Sequence, residues 1–180
     1  RVHRRQRQMC IRDRSFALKL MNKVDLYKKL FGSYSQSALL KLEKLENRFS
    51  LTPSLVRRLL ALEIKTSIPL MIKKEKKYFN QLNNLLGLDH NLDYLGYKLG
   101  EKASIDFLII REVKEGFIIT TKDIEKIKKA SRKICPIKFS DVHPLTKNLN
   151  TTKEKVDLME TFWIGSGFKA SKEKLLSLLS

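Results

Sequence analysis

The chain has 180 residues, and its 37 lysines and arginines against 19 aspartates and glutamates leave a formal net charge of +18. Its longest run without charged or polar side chains is residues 68–72 (Ile-Pro-Leu-Met-Ile), far short of the ~20 apolar residues that span a bilayer. Two cysteines, Cys10 and Cys135, are too few for a disulfide framework and fit a reducing compartment, so a cytoplasmic location is expected. Residues 1–15 hold six arginines and no helical or strand period, in a chain that otherwise prefers lysine. That shift reads as translated adaptor sequence joined to a truncated reading frame; the alternative is a basic arm that binds nucleic acid. The arm accounts for +5 of the charge. The remaining +13 favours a polyanionic partner, nucleic acid before membrane, the alternative being lysines that merely solvate helices.

The periodicity predicts an all-α fold. A first helix over 16–31 gathers Leu18, Met21, Leu26, Leu30 and Phe31 on one face and ends at Gly32. Ser35 caps the next, whose Ala38, Leu42, Leu45 and Phe49 recur at spacings of four, three and four. Thr52-Pro53 marks a third start. There Leu55, Val56, Leu59, Leu60 and Ile64 face inward and Arg57 and Arg58 outward, either solvating the surface or meeting phosphate. A helix over 69–86 opens with Lys73, Lys74, Lys76 and Lys77. Four lysines in five positions cannot all be buried, so they make a positive patch. Tyr78 beside them packs in the core or stacks on a base. Asp89, His90 and Asp93 form the one His–carboxylate cluster, and His3, His90 and His143 are too scattered to converge on zinc. His90 is therefore read as a loop residue.

Residues 101–120 fit either a hairpin turning at Gly116 or a buried helix over 102–114; the helical surroundings favour the helix. Thr121 caps a helix with Ile124, Ile127, Ala130 and Ile134 inside. Lys122, Lys126, Lys128, Lys129, Arg132 and Lys133 lie outside as the densest basic face of the chain. Pro136 and Pro144 bracket a segment expected to be extended. Thr151 with Glu154 forms a capping-box pattern that places a helix start. Val156, Met159 and Trp163 share its face, and Gly165 or Gly167 stops it. Ser171 caps a last helix burying Leu175, Leu176, Leu178 and Leu179.

Several segments resemble a known family when taken in order. They are Leu45-Glu46-Asn47-Arg48-Phe49-Ser50-Leu51-Thr52-Pro53 with Arg57-Arg58-Leu59-Leu60; Tyr94-Leu95-Gly96-Tyr97-Lys98-Leu99-Gly100, then Asp106-Phe107-Leu108-Ile109-Ile110; Ser140-Asp141-Val142; Phe162-Trp163-Ile164; and Gly167-Phe168-Lys169-Ala170-Ser171-Lys172. The series resembles the carboxy-terminal body and tail of bacterial CCA-adding tRNA nucleotidyltransferases in their alphaproteobacterial form, a family shared with poly(A) polymerases. It departs at Ser140, where the family has glycine, and at Phe162, where it has a first tryptophan. The resemblance covers residues 36–180 and implies a multi-helix RNA-binding region, with a helical body over 16–120, a helical tail over 121–180 and a helix over 102–114. The intact enzyme would add C, C and A to tRNA 3′ ends from CTP and ATP with Mg2+.

Such chemistry needs closely spaced carboxylates holding two metal ions. Neither the family's Gly-Ser motif with its Asp-x-Asp pair nor its nucleotide-selecting Asp and Arg set occurs in this sequence. The chain is therefore expected to be an inactive fragment that grips tRNA by shape and charge. Its candidate RNA contacts are Arg57, Arg58, Lys73, Lys74, Lys76, Lys77, Lys122, Lys126, Lys129, Arg132 and Lys133. Two other readings stand beside it: a generic basic helical module for nucleic acid, and a protein-interaction domain with incidental charge.

Overall fold

The computed structural model describes residues 35–63, 72–88 and 90–179. The arm over 1–15, the expected helix over 16–31 and the first residues of the expected 69–86 helix lie outside the described residues. Regular structure among the described residues is all helical: α1 (Gln36–Arg48), α2 (Leu55–Ala61), α3 (Lys73–Leu85), α4 (Leu92–Glu115), α5 (Thr121–Ser131), α6 (Phe139–Thr146), α7 (Leu149–Gly165) and α8 (Lys172–Leu176), with a closing 3-10 turn, Ser177–Leu179.

The ambiguous run over 102–114 is helix. Its residues 103–110 are buried on every side, which explains why a period of 3.6 is hard to see there: a helix with no solvent face has no polar stripe. Four neighbours, Phe107, Leu108, Ile109 and Ile110, are fully inaccessible. α4 is interrupted at Gly100, whose φ of 79° and ψ of 169° lie where a side chain is strongly disfavoured. The buried Ser104 hydroxyl lies 2.8 Å from the Leu95 carbonyl oxygen and 2.7 Å from that of Gly100, tying the break together.

Three helix starts depart from the sequence patterns by one to three residues and two do not. Ser35 caps α1 as expected, accepting from the Ala38 N–H, and Ser171 caps α8. α2 is capped by Ser54, after Thr52-Pro53. α5 is capped by Thr120, not Thr121, because Asp123 reciprocates with the Thr120 N–H at 2.8 Å. α7 starts at Leu149, before the Thr151–Glu154 box, because the Asn148 side chain accepts from the Asn150 and Thr151 N–H groups. The segment between the two prolines is not extended throughout: α6 carries Pro144 inside it. An interior proline costs about 3 kcal/mol or more, and here the helix is held at its start by Asp141, which accepts from the Lys138 N–H at 2.8 Å. Burial of Val142 holds it from within. Ile134, expected inside, is 85% exposed because α5 ends at Ser131. Leu178, expected in the core, is exposed too.

The chain forms two compact units. The first comprises the described residues of 35–88 together with Ile105–Ile119, and so α1, α2, α3 and the later part of α4. Leu39, Leu42, Leu60, Leu82 and residues 107–110 form its core. The second comprises 90–104 and 120–179. Its core is Cys135, Ile137, Val142, Met159, Trp163, Ile164, Ala170 and Leu175, with Tyr94, Tyr97, Val156, Phe168 and Leu176 packed against it.

Candidate nucleic-acid interface

The basic face of α5 is fixed by how the helix docks. Ile127 and Ala130 are almost wholly buried. A Cβ at Gly96 would lie 2.7 Å from the Ile127 carbonyl oxygen and 2.8 Å from the Ala130 Cβ. Glycine therefore lets α5 lie directly on the first part of α4, with Ile127 and Ala130 facing it. The opposite side must then carry Lys122, Lys126 and Lys129, spaced four and three apart, with Lys128 beside them, and Arg132 at the C-cap and Lys133 after it follow directly. All six are exposed.

Two of the six are engaged by acids of the same unit. The Lys126 Nζ lies 3.2 Å from the Asp93 carboxylate, and Lys128 lies 3.9 Å from Glu101. No acidic partner is found among the described residues for Lys122, Lys129, Arg132 or Lys133. The Lys133 ammonium sits 5.9 Å from the Phe168 ring centroid, a cation–π distance. Glu125, Lys128, Lys129, Arg132 and Lys133 line a shallow open depression at the carboxyl end of α5. Cations in a last helical turn complement the macrodipole, but that dipole is equivalent to only about half a charge. Most of this charge is therefore unaccounted for by the helix itself.

A second cluster stands on the first unit. Lys73, Lys74, Lys76 and Lys77 are exposed at the start of α3. Its N-cap is Ile72, which has no capping oxygen, and the Glu75 carboxylate accepts from the Ile72 N–H at 3.4 Å. Lysines at this end oppose the macrodipole, so folding of α3 gains nothing from them. Tyr78, next in sequence, turns inward: its hydroxyl donates to Asp106 at 2.7 Å. Burial first, then the Asp106 hydrogen bond and charge, push its pKa well above the usual phenol range. Tyr78 is thus a packing residue.

Arg57 and Arg58 overturn the expectation that they face outward; they are 3% and 8% exposed. The Arg57 Nε donates to Glu46 at 3.0 Å, and its two terminal nitrogens reach Asp106 and the Thr52 carbonyl oxygen. Arg58 donates to the other Glu46 oxygen at 3.2 Å. Two guanidiniums and two carboxylates close a neutral buried cluster, leaving Arg57 nothing with which to meet a phosphate. The missed signal was acidic: Glu46 follows Leu42 and Leu45 on an apolar face, and Asp106 sits inside a buried run, so each demanded a cation.

Four of the segments that carried the family resemblance, 94–100, 140–142, 162–164 and 167–172, meet in the second unit, while 45–60 and 106–110 lie in the first. The rings of Tyr97 and Trp163 approach edge to face at 5.5 Å, and those of Trp163 and Phe168 at 4.9 Å. Lys172 donates to Asp141 at 2.7 Å, joining the Ser-Asp-Val segment to the closing one. That hydrogen bond, with the one from the Lys138 N–H, holds the Asp141 carboxyl below the usual carboxylate range. The Tyr97 hydroxyl donates to Glu160 at 2.9 Å; burial and that carboxylate push its pKa up. Burial pulls on the Lys98 ammonium in the opposite sense, but its hydrogen bond to Glu160, with Asp157 nearby, holds it above the ordinary lysine range.

His90 stacks on Tyr94 with centroids 6.1 Å apart. No group of three His, Cys, Asp or Glu side chains among the described residues is placed to hold a metal ion. No helix among them is long and apolar enough to cross a membrane. No family model, curated protein or solved structure matches the chain.

Proposed function

We propose that this chain is the RNA-gripping body and tail of a CCA-adding tRNA nucleotidyltransferase, holding folded tRNA through its phosphate backbone. The observation that carries the RNA reading is the outer face of α5 and the turn that follows it, where six cations stand exposed and two acids pair with two of them. Such a face suits A-form RNA, whose deep narrow groove hides its base edges and leaves phosphates and 2′-hydroxyls as the accessible groups. The family reading is supported by packing: Tyr97, Val142, Trp163 and Phe168, drawn from four of the resembling segments, serve one core. In this reading CTP, ATP and Mg2+ are handled by catalytic carboxylates that this sequence does not contain, and Lys73, Lys74, Lys76 and Lys77 provide a second area of backbone contact.

The test is a salt titration of tRNA binding. The log–log slope is expected to be steep, and Lys129→Gln/Arg132→Gln/Lys133→Gln should flatten it by about two to three, since each phosphate contact contributes roughly 0.7–0.9. A flat wild-type slope, or a triple variant with the wild-type slope, rejects the α5 interface. Duplex DNA of equal charge should fail to displace tRNA. Ready displacement favours the generic nucleic-acid module. Nucleotide incorporation into tRNA lacking its CCA end should be absent, and incorporation would refute the assignment of chemistry to carboxylates outside this sequence.

A further inference from the structure

We propose that Asp93 and Glu101 determine the selectivity of the α5 face, withholding Lys126 and Lys128 from sparse anions and releasing them where phosphates are dense. The inference rests on the reading of α5 as an RNA-binding face. Both acids stand on the first part of α4 and its continuation past Gly100, on either side of the Gly96 contact that seats α5. Asp93 takes the cation at the second position of the stripe Lys122–Lys126–Lys129 at 3.2 Å; Glu101 takes Lys128, at the rim of the depression, at 3.9 Å. With Lys126 neutralised, the stripe offers Lys122 at one end and Lys129, with Lys133 beyond it, at the other, separated by a filled position.

These pairs are built to yield. The Lys126 and Lys128 side chains are 49% and 48% exposed, and exposed ion pairs are weak. A ligand that brings a phosphate to each lysine can therefore displace the carboxylate. A ligand that engages only Lys129, Arg132 and Lys133 gains nothing from the two paired lysines. Duplex RNA, with two phosphate strands at fixed spacing, belongs to the first class, and a flexible single strand to the second.

The experiment compares the full chain with Asp93→Asn/Glu101→Gln for binding to an RNA hairpin duplex and to single-stranded oligouridylate across a range of salt. The variant should bind the single strand at least about threefold more tightly, with a slope steeper by about 0.7 per freed lysine. The duplex should gain less, so discrimination between the two narrows. Unchanged discrimination overturns the inference. Glu154→Gln/Glu173→Gln removes two exposed acids remote in sequence from α5; an equal gain there also overturns it, by reducing the effect to net charge. Glu101→Gln alone, at a side chain 43% exposed, guards against misfolding of the double variant and must move discrimination in the same direction, or the inference falls. If the wild-type chain binds neither RNA, the α5 interface itself is lost; if it binds both and the variants match it, only the role of Asp93 and Glu101 is lost.

Discussion

Arg57 is bound on three sides, by Glu46, Asp106 and the Thr52 carbonyl oxygen. Removing it would leave Asp106 buried without a cation and Glu46 with Arg58 alone. Arg57→Ala is expected to lower unfolding stability by about 3–5 kcal/mol, read from urea denaturation. Arg57→Lys should recover little, because a single ammonium cannot reproduce the fork that spans two carboxylates. Neither arginine announced this role in the sequence. Their partners lie 11 and 49 positions away from Arg57, and a helical period reports which side of a helix a residue occupies, not whether a distant acid waits there.

Asp141 gives a pH-dependent case. Its folded carboxyl is held below the ordinary range by Lys172 and by the Lys138 N–H. Its contribution is therefore complete above the unfolded carboxylate pKa and is lost as pH falls through the lower folded value. Wild type should lose part of its stability in acid below about pH 4, the ordinary carboxylate range. Asp141→Asn should show a shallower loss over that window in thermal melts taken across pH.

Gly96 decides how α5 meets α4. Alanine in a helix is intrinsically better than glycine by about 1 kcal/mol, so packing and propensity oppose each other at this position. The obstructing atom is a backbone carbonyl oxygen at 2.7 Å, which cannot swing aside as a side chain can. Overpacking of about 1–3 kcal/mol should therefore win, and Gly96→Ala should unfold earlier in urea and bind tRNA more weakly through displacement of α5. At this scale the sequence was informative where one face is wet: α1 and α5 show their inner residues at helical spacing. It was less so for α6, where Pro144 argued against a helix that Val142 and Asp141 nonetheless hold. Helix starts slid because hydroxyl and amide caps are plentiful here; Thr120 and Thr121, or Asn148 and Thr151, are equally good caps until the next turn is placed. The exposure of the six cations on and after α5 was legible, but the end of the helix at Ser131, which sets Arg132 and Lys133 beyond it, was not. Nor were the acids that restrain two of its lysines, since Asp93 and Glu101 reach it only through the Gly96 contact.

For the molecule as a whole, a charge of +18 implies that any polyanion will be held partly without selectivity, and that the slope of binding against salt is more telling than a single affinity. The two compact units raise a separate question, whether the chain melts once or twice. The sole tryptophan of the sequence, Trp163, is buried against Tyr97 and Phe168 in the second unit. Indole emission is thus a private optical signal of that unit, whereas far-ultraviolet dichroism sums every helix in the chain. Coincident curves from the two signals would mark a single cooperative transition; separated curves would date the loss of each half, and would place Arg57→Ala and Gly96→Ala on different branches of the melt.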